Sequence, residues 1–216
     1  MFRGRQATNA MILYCVRHGE TVFNAAGRIQ GQTDSELSPL GWKQCQAVAA
    51  AFAGLPIDAI YSSPLRRARE GAACVADKLG LSVREDERLM EINAGVFQGL
   101  DWPDIEARYP QDAAGWRTGD PDFRIPGGES RRDLMNRMGC ALRQIRESEH
   151  RQVVVVAHGG SLSAGLKVLL EIPAQRNPFT LGNGSITTVV WDREIKLMTL
   201  NVTDHLHGLI GGNGDL

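Results

Sequence analysis

The chain has 216 residues, 43% of them hydrophobic and 23% charged, which sets it among ordinary globular proteins and away from disordered ones. Its 24 Lys and Arg against 25 Asp and Glu leave a formal charge of −1, so no global cationic field recruits nucleic acid or anionic lipid, and neither is expected as a partner. No apolar run approaches the roughly 20 residues that cross a bilayer, and Met1 to Ala10 carries no hydrophobic leader, so a cytoplasmic chain with no membrane partner is expected.

Residues 11–206 read as one domain, with flexible tails at 1–10 and 207–216. Short β-branched runs alternate with amphipathic stretches, the pattern of an α/β fold. Met11 to Val16 is the first strand. Ser38-Pro39 then starts a helix, Ser accepting from orphan amides and Pro filling the first turn, with Cys45, Val48, Ala51 and Phe52 as its core face. Ile57 to Tyr61 is a second strand and Leu65 to Leu79 a helix whose core stripe is Ala68, Ala72, Val75, Ala76 and Leu79. Val83 marks a short third strand.

From Asn93 to Gly128 the period dissolves into Gly, Pro, Trp and Asp, with one helix at Trp102 to Arg108; an insertion of this length reads as a functional lid. Ser130 and Asp133 form a capping box for a helix with Leu134, Met138, Ala141, Leu142 and Ile145 on its apolar face. Gln152 to Ala157 contains four consecutive valines and lacks a polar face, so helices should cover it on both sides, which predicts a three-layer α/β/α fold around a mostly parallel mixed sheet. A helix from Ser161 to Leu170 and a hairpin of Ser185 to Trp191 with Ile195 to Asn201 complete the reading. The four cysteines are scattered, with no C-x-x-C pair, and read as reduced, mostly packed thiols.

One arrangement occurs twice: an apolar strand runs into a histidine followed by glycine. Met11 to Val16 leads into Arg17-His18-Gly19-Glu20, and Val153 to Val156 into Ala157-His158-Gly159-Gly160. Ligands of open α/β sheets bind beyond the carboxyl ends of strands, so both imidazoles belong at a site. Glycine lets backbone amides approach a ligand, and a helix after Gly160 aims its positive end there, which suits an anion. Arg17 and the Arg66-Arg67 pair add guanidiniums, whose forks match phosphate oxygens. A zinc site would need other ligands; there is no H-E-x-x-H, and neighbouring arginines repel a cation, so no metal site is expected.

Arg17-His18-Gly19-Glu20-Thr21 followed by Asn24 resembles the R-H-G-x-[ST]-x-x-N motif of the histidine phosphatase superfamily, in its phosphoglycerate-mutase-like branch. The likeness extends from about Ile12 to Leu206 through Gly27 to Gly31, Leu37 to Gly41, Ser62 to Ala68, Leu89 to Gly99, Pro126 to Ser130 and Ala157 to Gly159. It implies that His18 is the nucleophile that takes the phosphoryl group, that Arg17, Arg67 and His158 clamp the phosphoryl oxygens, and that Glu91 protonates the leaving oxygen and then deprotonates water. It further implies that Asn24, Gln30, Gly31 and Gly159 line the phosphate pocket, that Arg66 faces solvent and that no cofactor is required. The segment Leu200 to Leu206 resembles the C-terminal part of small phosphatases of this group, which offers His205 to the substrate's far end.

The resemblance leaves three readings. A metal-independent phosphomonoesterase acting on a small phosphorylated metabolite (a sugar phosphate, a phosphoglycerate derivative or phosphoserine) leads. A 2,3-bisphosphoglycerate-dependent phosphoglycerate mutase is the alternative, although Ala94 stands where mutases carry a tyrosine and Gly-Leu-Asp follows Gln98 where a lysine would come. A non-catalytic phospho-ligand-binding regulator is the third. A homodimer is compatible with all three.

Overall fold

The computed structural model describes residues 10–209; most of both expected tails, at 1–9 and 210–216, lies outside the described residues. The described residues form a six-stranded sheet in the order β3-β2-β4-β1-β5-β6. Its strands are β1 (Met11–Arg17), β2 (Ala59–Ser62), β3 (Val83–Glu85), β4 (Gln152–Ala157), β5 (Ile186–Trp191) and β6 (Ile195–Val202). β3, β2, β4 and β1 run parallel, and β5 and β6 complete the sheet antiparallel. The helices are α1 (Val22–Ala25), α2 (Pro39–Ala51), α3 (Arg66–Leu79), α4 (Trp102–Arg108), α5 (Pro110–Arg117), α6 (Arg131–Glu147) and α7 (Gly159–Leu169).

Alternation along the central strands divides the core in two. Val154 and Val156 face Val48, Phe52, Ala72 and Val75 of the α2–α3 side, whereas Val153 and Val155 face Leu134, Met138, Leu142 and Leu162 of the α6–α7 side. All four valines are buried, so the three-layer, mostly parallel mixed architecture read from the valine run is the one observed. The caps at Ser38 and Ser130 also form as read: the Ser38 side chain accepts from the Gly41 amide, and the Ser130–Asp133 box closes in both directions. All four cysteines are free thiols, with burial pushing Cys15 and Cys45 up to about 12. No helix among the described residues is long and apolar enough to cross a membrane.

Four details differ from the sequence reading. On α2 the buried alanine is Ala49 and not Ala51, which is exposed, because the helix turns its 45-48-49-52 stripe to the sheet. Leu79 and Cys74 sit at the margin of the α3 core. Residues 93–128 contain a second helix, α5, which the scatter of polar residues concealed; α5 starts with Pro110 at its first position and buries Ala113 and Trp116. Phe97, Ile105 and Ile125 join them in the α6–α7 core, so this segment is a packed wall. Finally, α7 starts at Gly159 and not Ser161, because His158 occupies the cap and its amide donates to Ser161 Oγ, 3.2 Å away.

Candidate active site

The pairing register decides where the motifs meet. Arg17 of β1 lies opposite Ala157 of β4, and Ser62 of β2 lies opposite Val156. The next residues, His18, His158 and Ser63, therefore leave three neighbouring parallel strands at one level, with the His18 amide donating to Ala157 O at 3.0 Å and the Ser63 amide to Val156 O at 3.0 Å. The two imidazoles sit 5.1 Å apart, centroid to centroid, at 60°. α3 starts three residues after Ser63 and brings Arg67 to the same place.

The hydrogen bonds fix both tautomers. His18 Nδ1 is 2.7 Å from Gly19 O, and a carbonyl can only accept, so Nδ1 carries the proton and the Nε2 lone pair is open. Arg67 Nε donates to His158 Nδ1 at 3.2 Å, so His158 holds its proton on Nε2 and donates it to Ser63 Oγ at 2.8 Å. Burial holds His18 well below the ordinary histidine value; the Arg67 and Arg17 charges act in the same direction and the Gly19 hydrogen bond against it. His158 is lowered too, by burial first and then by Arg67, His18, Arg137 and Arg17. Both rings are neutral at physiological pH, and His18 presents a nucleophilic nitrogen.

The cations are rigidly held. Arg17 Nη1 donates to Leu181 O at 2.5 Å, and Arg67 donates through Nη2 to Gly31 O at 2.7 Å and through Nη1 to Thr33 O at 3.0 Å. Burial lowers Arg67 to about 10, with Glu91 and Asp34 opposing the shift, so it remains a cation at neutral pH. Gly31 adopts a φ of +54°, and a Cβ there would meet Gln98 Oε1 at 2.5 Å; only glycine allows this turn to offer its carbonyl to Arg67. Two guanidiniums beside one cavity repel a metal cation. Among the described residues no group of three or more His, Cys, Asp and Glu side chains is arranged to hold one.

Glu91 lines the same cavity. Its Oε1 accepts from the Ile92 amide at 2.8 Å and its Oε2 from the Gly160 amide at 2.9 Å, so the positive end of α7 holds this carboxylate in addition to facing the cavity. A bracket behind it fixes the backbone. Arg137 donates to the carbonyls of Arg88, Met90 and Glu91 at 2.9, 2.5 and 2.7 Å and pairs with Glu129, whose Oε2 accepts from the Asn93 amide at 2.8 Å. Glu129 thus positions Glu91 through Arg137. Glu20, the other acidic residue of the motifs, accepts from Ser38 Oγ at 2.7 Å and braces α2.

A neutral histidine with an open Nε2, two guanidiniums and a fixed carboxylate converge on one cavity, and the model of the histidine phosphatase superfamily (branch 1) matches residues 13–203. The chain belongs to this superfamily. It is 38% identical over 182 residues to a glucosyl-3-phosphoglycerate phosphatase of Mycobacterium tuberculosis, spanning 80% of this chain and 81% of that one. It is 40% identical over 183 residues to a protein of Proteus mirabilis named as a probable phosphoglycerate mutase, spanning 82% and 83%. The native structure of a mycobacterial glucosyl-3-phosphoglycerate phosphatase superimposes with a TM-score of 0.81 at 36% identity, over 90% of this chain and 100% of that one.

Gln30, Gly31 and Gly159 also line the cavity of this histidine phosphatase. Arg66 pairs with Glu36 and Glu70 outside it, as expected. Two further expected residues do not form part of the cavity wall. Asn24 is the third helical residue of α1, where it closes a capping box with Thr21; its Oδ1 accepts from Asn183 Nδ2, which also donates to His18 O, so Asn24 supports the loop that carries His18. His205 is outside the cavity wall, with Nε2 at 2.9 Å from Gly184 O, and the Gly184 amide bonds the carbonyls of Arg17 and His18. Both act on the loop that carries His18.

The sequence reading missed the other end of the cavity, where Trp116, Arg131, Lys167 and Asn177 line the wall. Lys167 gave the one available signal, a lysine on a helix otherwise made of small and apolar residues, two turns beyond the glycines.

Proposed function

We propose that this histidine phosphatase is a metal-independent phosphomonoesterase that cleaves a small phosphorylated metabolite in two displacements at His18. In the first, His18 Nε2 attacks phosphorus, the P–N bond forms, the P–O ester bond breaks, and the leaving oxygen takes its proton from Glu91, whose carboxylate is protonated when the phosphate anion binds beside it. In the second, water attacks the phosphohistidine, Glu91 recovers the proton, the P–N bond breaks, and inorganic phosphate leaves. Arg17 and Arg67 stabilise the charge on the equatorial oxygens without an added cation, and His158 joins them when its Nε2–H turns from Ser63 Oγ to a phosphoryl oxygen. The observation that carries this reading is the His18 tautomer: Nδ1–H is committed to Gly19 O, and burial keeps Nε2 unprotonated.

The phosphatase names among the relatives support hydrolysis, and the relative named as a mutase keeps isomerisation as the second reading. Ala94 favours hydrolysis. It is fully buried in the α6–α7 core, a position that holds a methyl group and leaves no exposed side for a tyrosine ring. The free thiols suit a reducing compartment, and the reading places the enzyme in the cytoplasm.

The test uses an aryl phosphate in excess chelator, with wild type beside His18→Ala. Wild type should release phosphate and form an acid-labile phosphoprotein on rapid quench, and the variant should lose at least about 10³-fold in kcat/KM and the phosphoprotein with it. Equal activity in the two proteins sinks the proposal. Isomerisation of 3-phosphoglycerate that outruns phosphate release would replace it with the mutase reading.

A further inference from the structure

The cavity does not end at the phosphoryl cradle. It continues along α7, where Gly160, Ser163, Ala164 and Lys167 face it on successive turns, to a second polar end made by Arg131 and Lys167. Gly160 holds Glu91, and Lys167 lies seven residues further on, a separation of roughly 10 Å at the helical rise. Between the two ends Ile29, Ile92, Leu134 and Ala164 make an apolar wall.

The cations of the second end are held but not neutralised. Arg131 lies over the Trp116 ring, 3.3 Å from its centroid, and donates through Nη2 to Trp116 O at 3.0 Å and through Nη1 to Asp120 O at 3.5 Å. Lys167 is only 5% exposed, and its Nζ donates to Ala174 O at 3.3 Å. Among the described residues neither forms a salt bridge with a carboxylate. Burial lowers Arg131 to about 10, with Asp120 opposing, and burial together with the Arg131 charge lowers Lys167. Burying two cations beside one another is unfavourable until an anion reaches them, and carbonyl contacts leave donors of both groups for it.

We propose that Arg131 and Lys167 bind a second anionic group of the substrate, so that this cavity selects phosphomonoesters with a carboxylate or second phosphate at the other end of an apolar middle. The proposal rests on the phosphatase reading above and adds the substrate class to it.

The experiment takes ω-carboxyalkyl phosphates of increasing chain length, each beside its uncharged ω-amide, and compares kcat/KM in excess chelator; α,ω-bisphosphates of the same lengths form a second arm. Wild type should prefer the anion over the amide by about 10- to 100-fold, the range of one or two charge-assisted hydrogen bonds, with a maximum at the length that spans the cavity. Lys167→Met and Arg131→Gln should each reduce that ratio to near one, and Lys167→Arg should restore most of it. The ratio is internal to each protein, so a general loss of activity does not enter it. An equal rate for anion and amide at every length, or a ratio unchanged in both variants, overturns the proposal.

Binding of the corresponding ω-carboxyalkyl phosphonates, whose C–P bond is not an ester, gives the same comparison by calorimetry. Failure of the phosphatase reading shows as absent turnover of every ester while the binding ratio persists. Failure of the present inference shows as turnover, or binding, without the ratio.

Discussion

The two ends of the cavity are both cationic, yet they are built in different ways. At the phosphoryl end Arg17, His18, His158 and Arg67 leave the carboxyl end of a parallel strand or the first turn of the helix that follows, and Arg67 is held by Gly31 O, Thr33 O and His158. At the far end Arg131 and Lys167 come from different helices and meet only because α6 and α7 pack side by side. The comparison teaches that the sheet supplies a rigid place for a group common to all phosphate esters, while helix packing supplies a place that can vary with the rest of the substrate.

The strongest way to break this contrast is to remove a strand-end cation. Arg67→Met should lower kcat/KM by about 10²- to 10³-fold for every phosphate ester alike, because it removes transition-state charge stabilisation at the group they share. Steady-state kinetics on short and long esters check this, and a loss confined to one class would show that Arg67 reads the substrate's far end. Arg66→Ala, which removes a surface ion-pair partner, should stay near wild type.

A smaller effect sharpens how Glu91 is held. A Cβ on Gly160 would stand 2.6 Å from Glu91 Oε1, a flexible carboxylate that can move away. Gly160→Ala should therefore cost about 10- to 100-fold in kcat through misplaced acid–base chemistry. Its melting temperature should hold or rise, since alanine exceeds glycine in helix propensity by about 1 kcal/mol. A fall in both would mean that the substitution disturbs α7 itself.

The smallest effect is thermodynamic and belongs to the strand ends. His18 and His158 are depressed in the folded state, so below about pH 6.5 the unfolded chain binds protons that the native chain does not. Stability is full above that value and should fall by about 1.4 kcal/mol per histidine per pH unit as pH drops toward the folded-state values. Denaturant unfolding between pH 7 and 5 measures the slope. The His18→Gln/His158→Gln double variant should flatten it, and an unchanged slope would assign the acid sensitivity elsewhere.

Legibility in the sequence followed the same divide. The strand-to-histidine junctions could be read because they are local: a β-branched run, a histidine and a glycine are contiguous, and the unbroken valines of β4 announce burial on both faces. Arg67 was separable from Arg66 only through the resemblance, since a helix stripe alone does not tell which of two adjacent arginines turns inward. α5 escaped because its burial rests on Ala113 and Trp116 against distant helices. Asn24 and His205 show a related limit of sequence: a motif places a residue near His18 but does not say which side of the loop it bonds.

The sequence by itself determined the layers of the fold and the two strand-to-histidine junctions that meet at an anion-suited site, because those depend on short-range patterns that secondary structure converts directly into positions. Tertiary structure alone decided which nitrogen of His18 is open, that α7 holds Glu91 through Gly160, and that Arg131 and Lys167 share one wall. These depend on strand register and helix packing between residues far apart in the chain, where a displacement of one residue would turn each side chain to another face. The formal charge of −1 is an average over the whole chain, and only the folded chain shows where its cations converge.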